Sequence, residues 1–410
     1  MSKGNGILRP KGVRGVNCGA ILQLLRQYGP LSRADLARHS GLSEGSVSRI
    51  TSELLQRQIL CEDGTESSTG GRPGTRLRLQ DLHLGLGVEF GRGEARLASV
   101  TLSGKILETV TVPIPSRPED ALPAVAIAIR KFSEQYRKSH IEGIGVSARG
   151  IVNNRSGVVE FGNLPEWVSI PVREWLQSAV KMPVYVDNNV RLAAIAEYNY
   201  GNLSEVRNSR CLLFAKVDDG IGIGIVLDGK LYYGPHDAAG EFGQMVIADG
   251  GDSATAGGPQ SFEELASSNA LCEYYGELTG VRSTSRTAEY RTRIRKICQL
   301  AVSGDALALK ALSRTSRYLG IGLTNVIWGL NADAVVVDAP INDAWPLVVR
   351  MIRDQFPKGE EIVTFRHLAL RPSSLGGEAA MIGAATLPFQ GLFTSGETNR
   401  SNSKKSLGAA

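Results

Sequence analysis

The chain has 410 residues, a formal net charge of +5, 42% hydrophobic residues and 21% charged residues. This composition is that of folded globular domains, and the length predicts two or three of them. Its five cysteines are widely spaced and form no Cys-x-x-Cys pair. This excludes a disulfide framework and a cysteine zinc site and favours the reducing cytoplasm. With no signal-peptide pattern and no apolar run of about 18 residues, we expect no membrane contact.

The positive charge is concentrated in the N-terminal 80 residues. They contain twelve Lys and Arg against six Asp and Glu, a net charge of +6, and the other 330 residues carry −1. A basic segment joined to a neutral body is typical of a nucleic-acid-binding module. A basic solvated surface would give the same charge count, so the local patterns must decide.

Residues 1–15 are polar, basic and Gly-rich, and we expect a disordered or DNA-contacting arm. A head domain follows over residues 16–80. Its first helix has apolar residues at helical spacing and stops at Gly29-Pro30. A short helix over 33–39 and a longer one over 44–57 come next.

Two serines precede these helices as N-caps. Ser32 stands before the second helix and Ser43 before the third, and Gly41 provides the turn between them. Two short helices joined by a tight turn predict a helix-turn-helix, in which the second helix reads DNA. An unrelated three-helix subdomain has the same pattern, and the charge asymmetry favours the DNA-binding interpretation.

The third helix has a small, polar outer face that suits a major groove. Two strands at 59–62 and 75–79 predict a wing, and the Gly-Arg-Pro sequence between them suits a narrow minor groove. Alone, this tripeptide is more typical of an ordinary solvated hairpin loop. The residues predicted to contact double-stranded operator DNA are Arg33, Ser43, Ser46, Ser48, Arg49, Ser52 and Arg72.

From residue 84 to about 390 the pattern changes to α/β. A Gly-rich strand and turn at 85–91 is repeated at 217–226, which predicts two related lobes. The tail over 394–410 is rich in Ser, Asn and Lys, and we expect it to be disordered.

From Asn17 to about Leu387 the chain resembles the ROK family, and within it the repressor branch. The resemblance lies in motifs that occur in family order: GPLSRADLARHSGLSEGSVSRITSELL, GGRP, GIGVSARGIV, GNLPEW, VDNNVRLAAIAE, DGIGIGIVLDGKLYYG, AAGEFG, FEELAS and MIGAA. It implies a winged helix-turn-helix followed by a two-lobed, actin-like (ribonuclease H-like) sugar-kinase fold.

The resemblance also shows which kinase features are absent. The family's catalytic Asp corresponds here to Asn189, and a carboxamide cannot act as a general base near neutral pH. The family's two phosphate loops correspond here to residues 89–93 and 218–224. The first contains Arg92, and the second contains two carboxylates. A further glycine run is replaced at 338–340. We therefore expect no ATP binding and no phosphoryl transfer.

The family's structural zinc site is missing as well. Its ligand positions correspond to one glutamine, two alanines and one serine, none of which can act as a thiolate or imidazole ligand. These are Gln244, Ala254, Ala256 and Ser261.

By resemblance, the sugar-binding residues are retained, because carboxylates and carboxamides suit a polyol. The set is Asn163, Asn188, Glu241, Gln244 and Glu263. Gln244 stands where relatives have a sugar-contacting His. Glu263, taken alone, is more typical of a helix cap after Ser261.

These observations predict a cytoplasmic transcriptional regulator, a repressor of carbohydrate-utilisation genes acting as a homodimer or homotetramer with a sugar or sugar derivative as effector. Two alternatives remain. One is an active sugar kinase with a DNA-binding head, and the other is a DNA-binding protein that senses no small molecule.

Overall fold

A computed structural model describes residues 10–65, 74–91, 93–162, 166–249, 258–281, 288–358 and 363–395. The chain divides into two compact units. The first comprises residues 1–189 together with 380–410, and the second comprises residues 190–379. The head and the first lobe thus belong to one unit.

The head is built of three helices and a small antiparallel sheet in the order β1-β3-β2. Its elements are α1 (Pro10–Tyr28), β1 (Leu31–Ser32), α2 (Arg33–Ser40), α3 (Glu44–Gln56), β2 (Leu60–Thr65) and β3 (Thr75–Leu79). The two serine caps are confirmed. Ser32 Oγ accepts the N–H of Asp35 at 3.2 Å, and Ser43 Oγ accepts that of Ser46 at 3.3 Å.

The next elements form the first lobe. They are β4 (His83–Phe90), β5 (Glu94–Thr101), β6 (Ile106–Pro113), α4 (Pro118–Glu134), β7 (His140–Ala148), β8 (Ile151–Asn153), β9 (Val158–Phe161), β10 (Val168–Ile170), α5 (Val172–Val180) and β11 (Val184–Asn188). The apolar face of α4 and the sheet enclose the lobe's core, which includes Val125, Ile129 and Val146.

The second lobe and the C-terminal helices complete the fold. They are α6 (Asn189–Tyr200), α7 (Ser204–Arg207), β12 (Cys211–Val217), β13 (Ile221–Leu227), β14 (Lys230–Leu231), β15 (Val246–Asp249), β16 (Pro259–Ser261), α8 (Phe262–Ala266), α9 (Ser268–Thr279), α10 (Ala288–Val302), α11 (Ala306–Leu330), β17 (Ala334–Asp338), α12 (Trp345–Arg353), α13 (Val363–Arg366), β18 (Ala369–Pro372), α14 (Ala379–Thr386) and α15 (Gln390–Ser395).

Each lobe contains a five-stranded sheet, and the two sheets have the same topology. The first is ordered β6-β5-β4-β7-β11 and the second β14-β13-β12-β17-β18. In both, three strands form an antiparallel meander and two further strands add in parallel to the first strand of the meander. The two repeated Gly-rich sequences lie on β4 and β13. Strand β4 is the first strand of its meander, whereas β13 is the second strand of the other meander. The two lobes are therefore related, as in actin-like folds.

Two boundaries differ from the sequence-based expectation. The arm predicted over 1–15 overlaps α1, which begins at Pro10, and residues 1–9 lie outside the described part. The tail predicted over 394–410 overlaps α15, which continues to Ser395, and residues 396–410 lie outside the described part. The reason is that these two segments pack together: a Cβ on Gly15 would lie 2.7 Å from the carbonyl oxygen of Ser395. Tertiary contact extends both helices beyond their local signals.

Candidate functional site

Helix α3 has one apolar face and one exposed polar face. Val47, Ile50 and Leu54 are buried in the head's core. The outer face is exposed at six positions: Glu44, Gly45, Ser48, Arg49, Ser52 and Gln56. Small side chains around one arginine allow close approach to base edges in a major groove.

Three other members of the predicted DNA-contacting set have partners within the head. The Ser43 hydroxyl donates to that of Ser46 at 2.9 Å, so both side chains are engaged at the N-cap of α3. Arg33 Nε donates to Thr51 Oγ1 at 3.2 Å. Ser48, Arg49 and Ser52 are exposed, and Arg72 lies outside the described residues.

Thr51, which the sequence did not single out, joins α2 and α3 through its hydroxyl. Thr51 is fully buried, and its hydroxyl donates to the carbonyl of Val47 at 2.9 Å. The same oxygen accepts from Arg33 of the preceding helix. The signal was a hydroxyl residue on the apolar face of an amphipathic helix, where an unpartnered polar group is costly.

A polar cluster in the second lobe is built by close backbone packing. The segment around Glu241 lies against β13, where Ile223 N–H donates to the Gly240 carbonyl at 3.0 Å. A Cβ on Gly240 would lie 1.9 Å from the Ile223 oxygen, and one on Gly243 would lie 2.2 Å from the Ile221 oxygen. Only glycine permits these approaches, so the AAGEFG sequence fixes the position of Glu241.

Two more predicted sugar-binding residues lie in this cluster. Gln244 Nε2 donates to Glu263 Oε1 at 2.7 Å, and Glu263 Oε2 accepts the N–H of Ile221 at 3.3 Å. Glu263 is therefore not the cap of α8. That role belongs to Ser261 and Glu264, which form a reciprocal capping box.

Arg191 controls the electrostatics around Glu241. Desolvation raises the pKa of the Glu241 carboxyl, the nearby positive charge of Arg191 lowers it, and the negative charge of Glu263 raises it further. Arg191 itself is buried, and its guanidinium donates to the carbonyl of Asp237. Arg191 is the last residue of the VDNNVR motif, and the sequence had suggested no role for it. The signal was a cation two residues after the Asn pair.

Asn188, another predicted sugar-binding residue, lies in the first unit at the end of β11. It is 8% exposed, and its Nδ2 donates to the Gly150 carbonyl at 2.7 Å. This bond fixes the orientation of the carboxamide. Asn163 lies outside the described residues.

Ion pairs occupy the segments that the resemblance predicts to correspond to the nucleotide-binding loops of the kinases. Asp218 Oδ2 lies 2.8 Å from Arg291 Nη2, and Lys216 Nζ lies 2.7 Å from Asp338 Oδ2. The Lys216–Asp338 pair is largely buried, with side chains 17% and 13% exposed. These carboxylates already have cationic partners.

Two of the four positions predicted to correspond to the family's zinc ligands are described. Gln244 binds Glu263 and Ser261 caps α8, so both side chains already have structural partners. Ala254 and Ala256 lie outside the described residues. Over the described ranges, no three His, Cys, Asp or Glu side chains cluster as metal ligands would.

Comparison with known proteins identifies both parts of the chain. The model of the ROK family matches residues 85–390, and a winged helix-turn-helix DNA-binding model matches residues 19–60. The chain belongs to the ROK family. Its DNA-binding head and its two-lobed, actin-like body are the parts that the sequence analysis predicted.

The ROK relatives include transcriptional regulators of nearly full-length similarity. The DNA-binding transcriptional dual regulator NagC of Escherichia coli K12 is 29% identical, with 81% of this chain and 82% of NagC covered. The xylose repressor of Bacillus spizizenii is 27% identical, with 92% and 96% covered.

A solved structure extends the similarity to the whole fold. A ROK family transcriptional regulator, a homologue of the E. coli MLC protein, matches with a TM-score of 0.74 and 27% identity over 94% of this chain and 98% of that one. No helix within the described ranges is long and apolar enough to cross a bilayer.

Proposed function

We propose that this protein is a cytoplasmic transcriptional repressor of carbohydrate-utilisation genes whose ROK domain binds a sugar or sugar derivative as effector. The main observation in support is that the same chain contains both an exposed face on α3 suited to reading DNA and the Glu241–Gln244–Glu263 cluster. The kinship with NagC and with the xylose repressor supports the same conclusion. A sugar with different affinities for two states of the repressor shifts the operator equilibrium between them.

The head contacts double-stranded operator DNA through α3, with Arg49 at the centre of the exposed face. As a homodimer or homotetramer, the protein places two such helices in half-sites about 34–36 Å apart, or at a multiple of this spacing. Contacts of the other arginines with phosphates make the affinity depend on salt. Arg72, in the predicted wing, belongs to this set.

Arg49→Ala is expected to weaken operator binding by about 10- to 100-fold, because one good base contact contributes about 1–3 kcal/mol. The operator is first selected from a random duplex library, and affinity is then measured by fluorescence anisotropy at fixed salt. Arg353→Ala, which removes an exposed cation from α12, is the matched control and is expected to bind normally. Equal affinities of the two variants would remove α3 from the DNA interface.

The ROK domain binds its effector through carboxylates and carboxamides that bridge neighbouring sugar hydroxyls. Glu241 and Glu263 accept from hydroxyl donors, and Asn188 and Asn163 contribute amides. Gln244 both donates and accepts, and its bond to Glu263 orients that carboxylate. The raised pKa of Glu241 indicates a carboxylate held in a poorly solvated position, where a hydroxyl donor is favourable.

Glu241→Gln is expected to abolish the effect of sugar on operator affinity while leaving affinity without sugar unchanged. Because the Glu241 pKa is raised, its ionised form disfavours folding above the carboxyl's ordinary pKa. The variant is therefore expected to melt at an equal or higher Tm at pH 7. This difference should disappear below the ordinary pKa, where both side chains are neutral.

The matched control is Glu273→Gln, an exposed acid on α9 of the same lobe. A panel of monosaccharides, tested by thermal shift, identifies the effector, since a ligand of the folded state raises its Tm. Retention of the full sugar response by Glu241→Gln would contradict the proposed role of this residue.

The ROK domain senses its sugar without phosphorylating it. Asn189 offers no proton acceptor at the position of the catalytic Asp. Asp218 and Asp219 stand in the second predicted phosphate loop, where two carboxylates oppose a polyphosphate. Residues 338–340 replace the glycine run that admits the nucleotide in kinases. A coupled assay with ATP, Mg²⁺ and the sugar panel is expected to show no turnover. Sugar-dependent ADP formation would instead establish the kinase alternative.

A further inference from the structure

A cavity of about 410 Å³ lies within the first lobe, apart from the acid–amide cluster around Glu241. It opens between the turn that follows β4 and the ends of β6, β7 and β9. The side chains that define its walls are Phe90, Ile114, Ala148, Arg149, Val159 and Trp167. Its volume falls within the range of small-molecule sites, about 300–1,000 Å³.

The walls of this cavity offer aromatic and aliphatic surface. The rings of Phe90 and Trp167 lie 4.9 Å apart, tilted by 55°. The polar atom of Trp167 is already used, because its Nε1–H donates to the Ser116 carbonyl at 3.0 Å. Both rings are largely buried, and both residues line the cavity. Such walls suit an apolar group and provide poor partners for sugar hydroxyls.

The cavity adjoins Asn188, one of the predicted sugar-binding residues. Arg149 lines it, and the next residue, Gly150, accepts the carboxamide hydrogen bond of Asn188 at 2.7 Å. A substituent on a sugar held by Asn188 therefore reaches the cavity over a short distance.

We propose that this cavity binds the aromatic aglycone of an aryl glycoside, so that the effector is a sugar carrying a ring substituent. This inference rests on the proposed sugar-sensing function. One aromatic ring fits, since an apolar cavity of about 150 Å³ binds benzene. The Phe90–Trp167 pair provides edge and face contacts for a ring. Arg149 is among the lining residues, and a cation beside the cavity favours an aromatic group over an alkyl chain.

The test compares phenyl and methyl β-glycosides of D-glucose, D-xylose and N-acetylglucosamine on the full-length protein by isothermal titration calorimetry. The phenyl member of at least one pair is expected to bind about tenfold or more tightly, as burial of an aromatic ring predicts. Two variants locate the effect. Ile114→Phe fills the cavity and Trp167→Leu removes an aromatic wall, and both should abolish the phenyl preference. Binding of the methyl glycoside should be unchanged and reports that the variants are folded.

The outcomes separate this inference from the function on which it rests. Equal binding of phenyl and methyl glycosides to the wild-type protein would overturn the aglycone site and leave sugar sensing intact. A phenyl preference that persists in both variants would overturn its assignment to this cavity. Failure of all six glycosides to bind would overturn the inference and the proposed sugar effector together.

Discussion

Gly145→Ala is expected to destabilise the first unit by about 4 kcal/mol or more, at the upper end of single substitutions. Gly145 lies on β7, and a Cβ there would stand 1.7 Å from the carbonyl oxygen of Ala384 on α14. Gly85 on β4 meets Ala385 at the same distance. The two strands thus present glycines against which the backbone of α14 packs. The obstacle is backbone rather than a flexible side chain, so strand and helix must separate.

Thermal unfolding followed by far-UV circular dichroism measures this effect, together with the soluble yield. Gly329→Ala in α11 is the matched control, since a Cβ there meets nothing within 4 Å. Alanine in an exposed helix position is expected to leave stability unchanged or raise it by up to about 1 kcal/mol. Wild-type stability of Gly145→Ala would mean that α14 does not pack on β7 as described.

Phe393→Ala is expected to loosen the head from the first lobe, at a cost of about 3–5 kcal/mol for a buried aromatic residue. Phe393 on α15 is 4% exposed and belongs to the same apolar core as Leu22 of α1. The Arg26 guanidinium lies 4.1 Å from its ring centroid, and Gln23 Nε2 donates to its carbonyl at 3.2 Å. The head's first helix is therefore anchored to the C-terminal helix of the ROK domain.

Hydrogen exchange measures this anchoring directly. Amides in α1 and α15 are expected to exchange faster in Phe393→Ala, whereas those in β12 and β17 keep their protection. The effect of sugar on operator affinity should shrink, because a loosened head no longer responds to the state of the lobe. Thr394→Ala, an exposed neighbour on the same helix, is the control. Unchanged protection of α1 in Phe393→Ala would exclude this contact as the anchor.

Local signals predicted the DNA-reading helix. Ser43 caps α3, and Val47, Ile50 and Leu54 face the core, as their spacing required. The motif resemblance predicted both lobes, and their common strand order confirms the relation. These features depend on hydrogen bonds and periodicities that span a few residues, and a single stretch of sequence contains them.

Side-chain partners within the candidate site could not be predicted in this way. Glu263, taken alone, was more typical of a helix cap, and only the fold shows that Glu264 takes this role with Ser261 while Glu263 binds Gln244. Arg191 was likewise not assigned to the environment of Glu241. Which of two similar side chains takes a given role depends on the neighbouring strands, and these strands lie far away in the sequence.

The amino-acid sequence by itself determined the winged helix-turn-helix, the two related lobes and the ROK membership. Helix caps, turns and the order of motifs can be recognised in short stretches of sequence. Only the tertiary structure decided where the head ends and how it is held. Helix α1 extends back to Pro10 and α15 forward to Ser395 because they pack on each other, and the bond from Gln23 to Phe393 joins residues 370 positions apart. No local preference specifies such a contact, since its stability comes from apolar surface buried jointly by both ends of the chain.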